Sequence, residues 1–173
     1  MIKRDGEKEM PTNRMRMMLG AAALGSAAVL SPLVAASDEK HDAGMKAIEA
    51  RHGYMHVVLW DAGPLFGMAK GEMPYDAGAA AAHAANLKAI SGYDYGSLFL
   101  PGTSKDDRPG KTLALADIWA DMTKFEAAMD DWRAAVDVVA AEAGKGQEAL
   151  TAAVGAMGKT CGGCHKPFRA KKE

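Results

Sequence analysis

Apolar residues recur at steps of three and four along four segments of this chain, the spacing that gives an α-helix one apolar face. The four stripes are Met45, Ile48, His52, Met55 and Leu59; Ala80, His83, Leu87 and Ile90; Phe125, Met129, Trp132, Val136, Val139 and Ala143; and Leu150, Val154, Met157, Cys161, Cys164 and Phe168. Four such helices bury their apolar faces most simply against one another. We therefore predict an all-α fold, an antiparallel four-helix bundle.

Capping and breaking residues predict where these helices begin and end. Gly63-Pro64 is expected to end the first helix, because proline cannot continue the ladder of backbone hydrogen bonds. Asp76 is expected to cap the second helix at its N-terminus. A long connection rich in Gly, Pro and Asp follows, and loops of that length in small domains often carry function. The third helix is predicted to begin with a capping box of Thr123 and Glu126, and the fourth to cover residues 147–170.

The first 36 residues have the pattern of a secretory signal peptide. Arg14 and Arg16 precede an apolar run over residues 17–34, which ends in small residues suited to cleavage near Ala36. The alternative is a membrane anchor, but the run is rich in Gly, Ala and Ser and is interrupted by Pro32. We predict that residues 1–36 are cleaved and that residues 37–173 form one domain in the periplasm.

The composition excludes some classes of partner. The chain is 49% hydrophobic and has a formal net charge of −1, so no basic excess points to nucleic acid or to stable insertion into a membrane after cleavage. No constellation of catalytic nucleophile, acid and base is recognisable in the sequence. We therefore predict a protein that is not an enzyme.

The two cysteines of the chain lie in the segment "TCGGCHKPFR", on the apolar stripe of the fourth helix. A disulfide within so small a ring would strain a helix, and a thioredoxin-like pair requires a preceding strand. A zinc site would need further ligands, for which His52 and His56 have suitable spacing. C-x-x-C-H is the attachment sequence of haem c, in which both thiols add to the porphyrin. We favour this interpretation, with one haem c on Cys161 and Cys164 and with His165 as the proximal iron ligand.

Further motifs accompany the attachment sequence. They are "ARHGYM" on the first helix, "GMAKGEMPYDA" before the second, "LFLPGTS" in the long connection, "IWADMTKFEAA" at the third helix and "CGGCHKPFRAK" near the C-terminus. Together they resemble those of the class II cytochromes c, which comprise cytochrome c′ and its low-spin, methionine-ligated relatives. The resemblance covers the whole predicted mature domain and implies a four-helix bundle with covalently bound haem c.

The resemblance also assigns roles to residues away from the cysteines. Arg51 matches an arginine placed to pair with a haem propionate, the alternative being a solvated surface arginine. Arg169 matches a cation beside the haem edge, which would attract acidic partners, and a basic last turn would also complement the helix dipole. Trp119 matches a residue that closes the haem pocket, although a buried tryptophan is the simpler interpretation.

The sixth coordination position of the iron is left open by the sequence. Met55 matches the residue that faces the free side of the haem, either as an iron ligand or as a packing residue. His52 stands where many members have another residue, and its imidazole is a third candidate. With Met55 bound, the protein is expected to be a one-electron carrier that meets redox partner proteins in the periplasm. With the position free, it is expected to bind nitric oxide or carbon monoxide. A homodimer through the first two helices is implied by the resemblance, and a non-haem metal or redox module is the remaining alternative.

Overall fold

Four long α-helices form most of the part of the chain that the structure describes. This computed structural model describes the backbone of residues 35–171 and the side chains of residues 43–171. The long helices are α1 (Ala35–Lys70), α2 (Ala77–Ser91), α4 (Met122–Glu142) and α5 (Gln147–Phe168). A short helix, α3 (Asp117–Ala120), and a 3₁₀ turn (Tyr95–Leu98) lie in the long connection between α2 and α4.

The four long helices pack as an antiparallel bundle, as predicted. α1 packs against α2 and α5, and α4 packs against the same two helices. Between α1 and α2, the Tyr54 hydroxyl donates to the Ile90 carbonyl at 3.2 Å, and the side chains of His83 and Asp61 meet at 2.9 Å. Within residues 35–171 there is no β-strand beyond one isolated bridge. The predicted fold class is confirmed.

The core-facing sides of α4 and α5 were also predicted correctly. All six stripe residues of α4 are buried, and so are four of the six on α5. The other two, Cys161 and Cys164, are half-buried and pack against the core. Both helices are buried along one stripe because each lies between two other long helices.

The predicted face of α1 was partly wrong. Ile48 is buried as expected, but His52 is exposed and Leu59 is 63% exposed. The buried face instead runs through Tyr54 and Leu65, which pack against α2 and α5. A pattern of moderately apolar residues did not determine which side of this helix faces the bundle.

The predicted end of α1 at Gly63-Pro64 was wrong, since the helix continues to Lys70. Pro64 removes one backbone hydrogen bond, the one to the carbonyl four residues earlier. That carbonyl belongs to Trp60, whose side chain is 76% exposed, so this turn lies on the water side of the helix. Burial of Leu65 and Met68 in the next turn favours continuation of the helix.

The expected cap of α2 is confirmed, whereas the expected cap of the third long helix was wrong. The Asp76 side chain accepts a hydrogen bond from the Ala79 backbone N–H at 2.7 Å. At α4 the cap is Asp121, whose side chain accepts from the Lys124 N–H at 2.9 Å. Thr123 therefore lies inside the first turn rather than at the cap.

The signal-peptide prediction lies almost wholly outside the described residues, which begin at residue 35. Within the described part of the chain, none of the helices combines the length and the hydropathy needed to span a bilayer.

Candidate haem site

A cavity of about 260 Å³ lies at one end of the bundle, where α1, α4 and α5 meet the long connection. It is lined by Arg51, His52, Met55, Tyr95, Phe99, Thr112, Leu113, Ala114, Ile118, Phe125, Cys164, His165, Phe168 and Arg169. Most of these side chains are apolar, and the polar ones come mainly from α1 and from the end of α5. The cavity thus brings together residues separated by more than a hundred positions in the sequence.

The end of α5 carries the attachment sequence to the cavity wall. Cys164 and His165 both line the cavity, and Cys161 lies one turn earlier, half-buried against the core. Both thiols are free. The helical spacing predicted from the sequence therefore places the reactive residues on the side of α5 that faces the interior.

Burial controls the protonation of these groups. Burial raises the pKa of Cys161, and it raises the pKa of Cys164 to about 11, an effect strengthened by Cys161 and opposed by Arg169. Redox-active cysteines have lowered pKa values, so the pair lacks the character of a thiol–disulfide centre. Burial, and secondarily Arg169, lower the pKa of His165, which keeps its imidazole neutral and able to bind a metal.

The long connection closes the side of the cavity next to α5. The Leu115 N–H donates to the Phe168 carbonyl at 3.0 Å, and the Ala170 N–H donates to the Leu113 carbonyl at 2.8 Å. Ala114 and Arg169 form an antiparallel bridge in the same place. These bonds hold the connection against the end of α5.

Arg51 is the most unusual polar residue of the cavity. Its side chain is only 3% exposed, and its Nη2 donates to the Thr103 carbonyl at 3.0 Å. The guanidinium carbon lies 4.6 Å from the centre of the Phe99 ring and 6.0 Å from that of Trp119. Nη1 is buried and has no hydrogen-bond partner among the described residues. A buried cation with an unused donor on a cavity wall fits an anionic group of a bound molecule.

The other predicted site residues divide into those at the cavity and those away from it. Met55 is half-buried on the wall, and His52 and Arg169 line the cavity although both are exposed. His56 is exposed and is not among the lining residues, and the described residues contain no group of three or more His, Cys, Asp or Glu that could hold a metal ion. The zinc alternative is therefore not supported.

Trp119 does not line the cavity, contrary to the expectation that it closes the pocket. Its indole N–H donates to the Phe99 carbonyl at 3.0 Å, and its ring packs on that of Phe99. The tryptophan thus supports the wall from behind, because its hydrogen bond holds the backbone of a residue that does line the cavity.

Several lining residues were not predicted as part of the site. Tyr95, Phe99 and Thr112 come from the long connection, which was expected only to carry function. Phe125 and Phe168 were predicted as core residues without regard to a cavity. The aromatic residues of "YDYGSLF" were a signal in the connection, but only the folded chain places them beside α1 and α5.

The residues of the cavity fit a haem c. The free thiols, the neutral imidazole and the apolar walls suit a porphyrin, and the unused donor of Arg51 suits a carboxylate. A helical bundle with this site on its last helix is a class II c-type cytochrome. The family model of cytochrome C′ matches residues 46–169 of the chain. The chain belongs to the cytochrome c′ family.

Individual relatives agree with this assignment. Cytochrome c′ of Cereibacter sphaeroides is 46% identical over 145 residues, which are 84% of this chain and 93% of that protein. The solved cytochrome c′ of Rhodobacter sphaeroides is 48% identical, covers 75% of this chain and 98% of its own, and superposes with a TM-score of 0.72. A mutant of cytochrome c prime from Alcaligenes xylosoxidans, solved as its nitric oxide complex, is 27% identical, covers 74% of this chain and 97% of its own, and has a TM-score of 0.64. Haem c, joined through Cys161 and Cys164, is the cofactor of this chain.

Proposed function

We propose that this protein binds nitric oxide, and related diatomic gases, at the haem face opposite His165. The observation that carries the proposal is membership of the cytochrome c′ family, together with the nitric oxide complex of a relative whose chain is covered almost completely. The bound haem supplies an iron atom that can bind such a gas or exchange one electron. Binding of a small ligand, rather than turnover of a substrate, is the proposed role.

The chain's own residues hold and orient the cofactor in this proposal. Cys161 and Cys164 fix the porphyrin covalently, and the neutral imidazole of His165 serves as proximal ligand. Arg51 holds a propionate through its otherwise unused Nη1, while Nη2 stays on the Thr103 carbonyl. Arg169 places a positive charge at the mouth of the cavity, where an acidic partner protein would approach.

Met55 is proposed to pack over the open iron position without binding it. It is half-buried among apolar neighbours, which a methionine fills well whether or not its sulfur binds a metal. The second candidate function is that of a low-spin electron carrier with Met55 as the sixth ligand. The observation that favours it is that Met55 and His165 line the same cavity.

The optical spectrum of the reduced protein distinguishes the two functions. A free iron position gives a broad α band, and addition of nitric oxide changes the spectrum. We expect Met55→Ala to leave the unliganded spectrum unchanged, because no iron ligand is removed. A sharp α band that broadens in Met55→Ala would instead establish methionine ligation, and His52→Ala provides the matched test for the imidazole.

We further propose that the mature protein is periplasmic and forms a homodimer through α1 and α2. The support for export is the signal-peptide pattern of residues 1–36 and the haem attachment sequence. The support for the dimer is an apolar surface on α1, formed by Val57, Leu59 and Trp60, all of which are exposed. Mass spectrometry of the protein recovered from a periplasmic extract tests cleavage near Ala36, and retention of residues 1–36 would contradict it.

A further inference from the structure

Three of the four tyrosines in the chain form a continuous stack that leads from the cavity to the surface. Tyr95 lines the cavity, and its ring stacks on that of Tyr54 with 4.4 Å between the ring centres. The Tyr54 ring lies 5.9 Å from that of Tyr93, which is 48% exposed. One buried ring therefore connects the cavity wall to water.

The composition of this stack differs from that of the other aromatic residues at the cavity. Phe99, Phe125 and Phe168 also line it and pack edge to face. A phenyl ring packs as well as a phenol but is far harder to oxidise by one electron. The rings that lead outward are phenols at every step, whereas the rings that only close the cavity are phenyls.

The surroundings of the three phenols decide where an oxidised ring would come to rest. A phenol that loses an electron becomes strongly acidic and gives up its proton to any available base. The Tyr54 hydroxyl donates to the Ile90 carbonyl, which is a poor base, and burial raises its pKa to about 12. Tyr93 is in water, which accepts its proton. Trp132, a side branch 6.5 Å from Tyr54, is only 7% exposed.

We propose that Tyr95, Tyr54 and Tyr93 conduct single electrons from the surface to the haem, so that the protein reduces peroxides at the expense of small one-electron donors such as phenols. The inference rests on the proposed open iron position, where a peroxide would bind. For each hydrogen peroxide the O–O bond breaks, and two electrons and two protons are taken up to form two waters.

Tyr93 supplies these electrons one at a time. At each step it loses one electron inward along the stack and its phenolic proton to water. A phenolic donor then returns a hydrogen atom to the Tyr93 radical and becomes a radical itself. Two donor molecules are consumed per peroxide, so electrons and protons balance and the tyrosines are regenerated.

Site mapping of radicals in the haem-containing protein tests the stack. The protein is treated with hydrogen peroxide and a nitroso spin trap without a donor, and the adducts are located by peptide mass spectrometry. We expect the adduct on Tyr93 and its loss in Tyr93→Phe. Tyr75→Phe is the matched control, because Tyr75 is bound to Ala143 and Gly146 away from the stack and should change nothing. Adducts or oxidation products distributed by exposure alone, on Trp60 and Met73 first, would overturn the proposal.

The middle ring gives a second and stricter test. Tyr54→Phe keeps the ring and its packing but removes the phenol, so we expect a several-fold loss of Tyr93 adduct and a gain at Tyr95. An unchanged yield at Tyr93 would overturn conduction through Tyr54. A peroxide electrode separates this inference from the proposed function. If the unmodified protein consumes no peroxide but Met55→Ala does and marks Tyr93, the open iron position is wrong and the stack is supported. If neither consumes peroxide, the inference is overturned.

Discussion

Arg51 illustrates how a single residue can report a missing partner. A guanidinium that is 3% exposed, with one nitrogen lacking a hydrogen-bond partner, costs free energy in the chain alone. Desolvation also lowers its pKa, with Tyr95 acting in the opposite direction. Asp61 is equally buried, but its carboxylate is bound by His83 and Asn86. The difference separates a buried charge that stabilises the bundle from one kept for a bound anion.

Tyr54 makes the stability of the protein sensitive to alkaline pH. Burial raises its pKa to about 12 from an ordinary value of about 10, with Arg133 opposing the shift. The stabilisation is therefore complete below pH 10 and is lost as the pH rises toward 12, by an amount on the order of 2 kcal/mol. Tyr95, whose pKa burial also raises, contributes in the same direction.

We expect Tyr54→Phe to reduce this pH dependence. At pH 8 the variant should be less stable by about 1 kcal/mol, because the hydrogen bond to the Ile90 carbonyl is lost. Between pH 10 and 12 its free energy of unfolding should fall less than that of the unmodified protein. Urea denaturation at pH 8 and pH 11 measures both effects, and parallel losses in the two proteins would contradict the assignment to Tyr54.

At the scale of the element, the ends of helices depend on single side chains. Asp121 rather than Thr123 accepts the hydrogen bond at the start of α4. We expect Asp121→Ala to destabilise the protein by about 1 kcal/mol, while Thr123→Ala, one turn position away and exposed, should cost clearly less. Thermal unfolding of the two variants side by side decides between the caps, and a larger loss for Thr123→Ala would restore the capping box.

Two glycines of the last helix should respond in opposite directions to alanine. Gly155 lies inside α5 with no atom within 4 Å of an added Cβ, so Gly155→Ala should stabilise by about 0.5–1 kcal/mol. Gly146, which precedes α5, has a φ of +125°, a conformation that L-residues rarely adopt. Gly146→Ala should therefore destabilise by about 1 kcal/mol or more. Chemical denaturation of both variants measures this contrast, and a shared sign would show that one local conformation is not as described.

At the scale of the whole molecule, the apolar surface on α1 is the feature left without a partner in a single chain. Trp60 lies at its centre and is 76% exposed. We expect Trp60→Glu to dissociate the proposed homodimer, since a carboxylate would be buried at the contact without a cation. Val138→Glu is the matched control, because Val138 is equally an exposed apolar residue but lies on α4. Sedimentation equilibrium measures the mass of both variants, and a dimeric Trp60→Glu would exclude this surface.

Helix type and the attachment site were predictable because both depend on residues close together in the sequence. The stripes of α4 and α5 are strongly periodic, and the C-x-x-C-H spacing brings its own chemistry. The face of α1 was less predictable, because Leu59 and Trp60 are as apolar as the residues that are buried. Only the positions of α2 and α5 select which side of α1 is covered.

The sequence by itself determined four helices, their order as a bundle, and haem c on Cys161 and Cys164. Local periodicity and covalent chemistry suffice for these properties. The tertiary structure decided that α1 continues through Pro64, that Arg51 is buried with a free donor, and that the tyrosines of the long connection stack from the cavity to water. The physical reason is that burial, pKa and ring contacts are set by neighbours from distant parts of the chain, which meet only after the helices have packed.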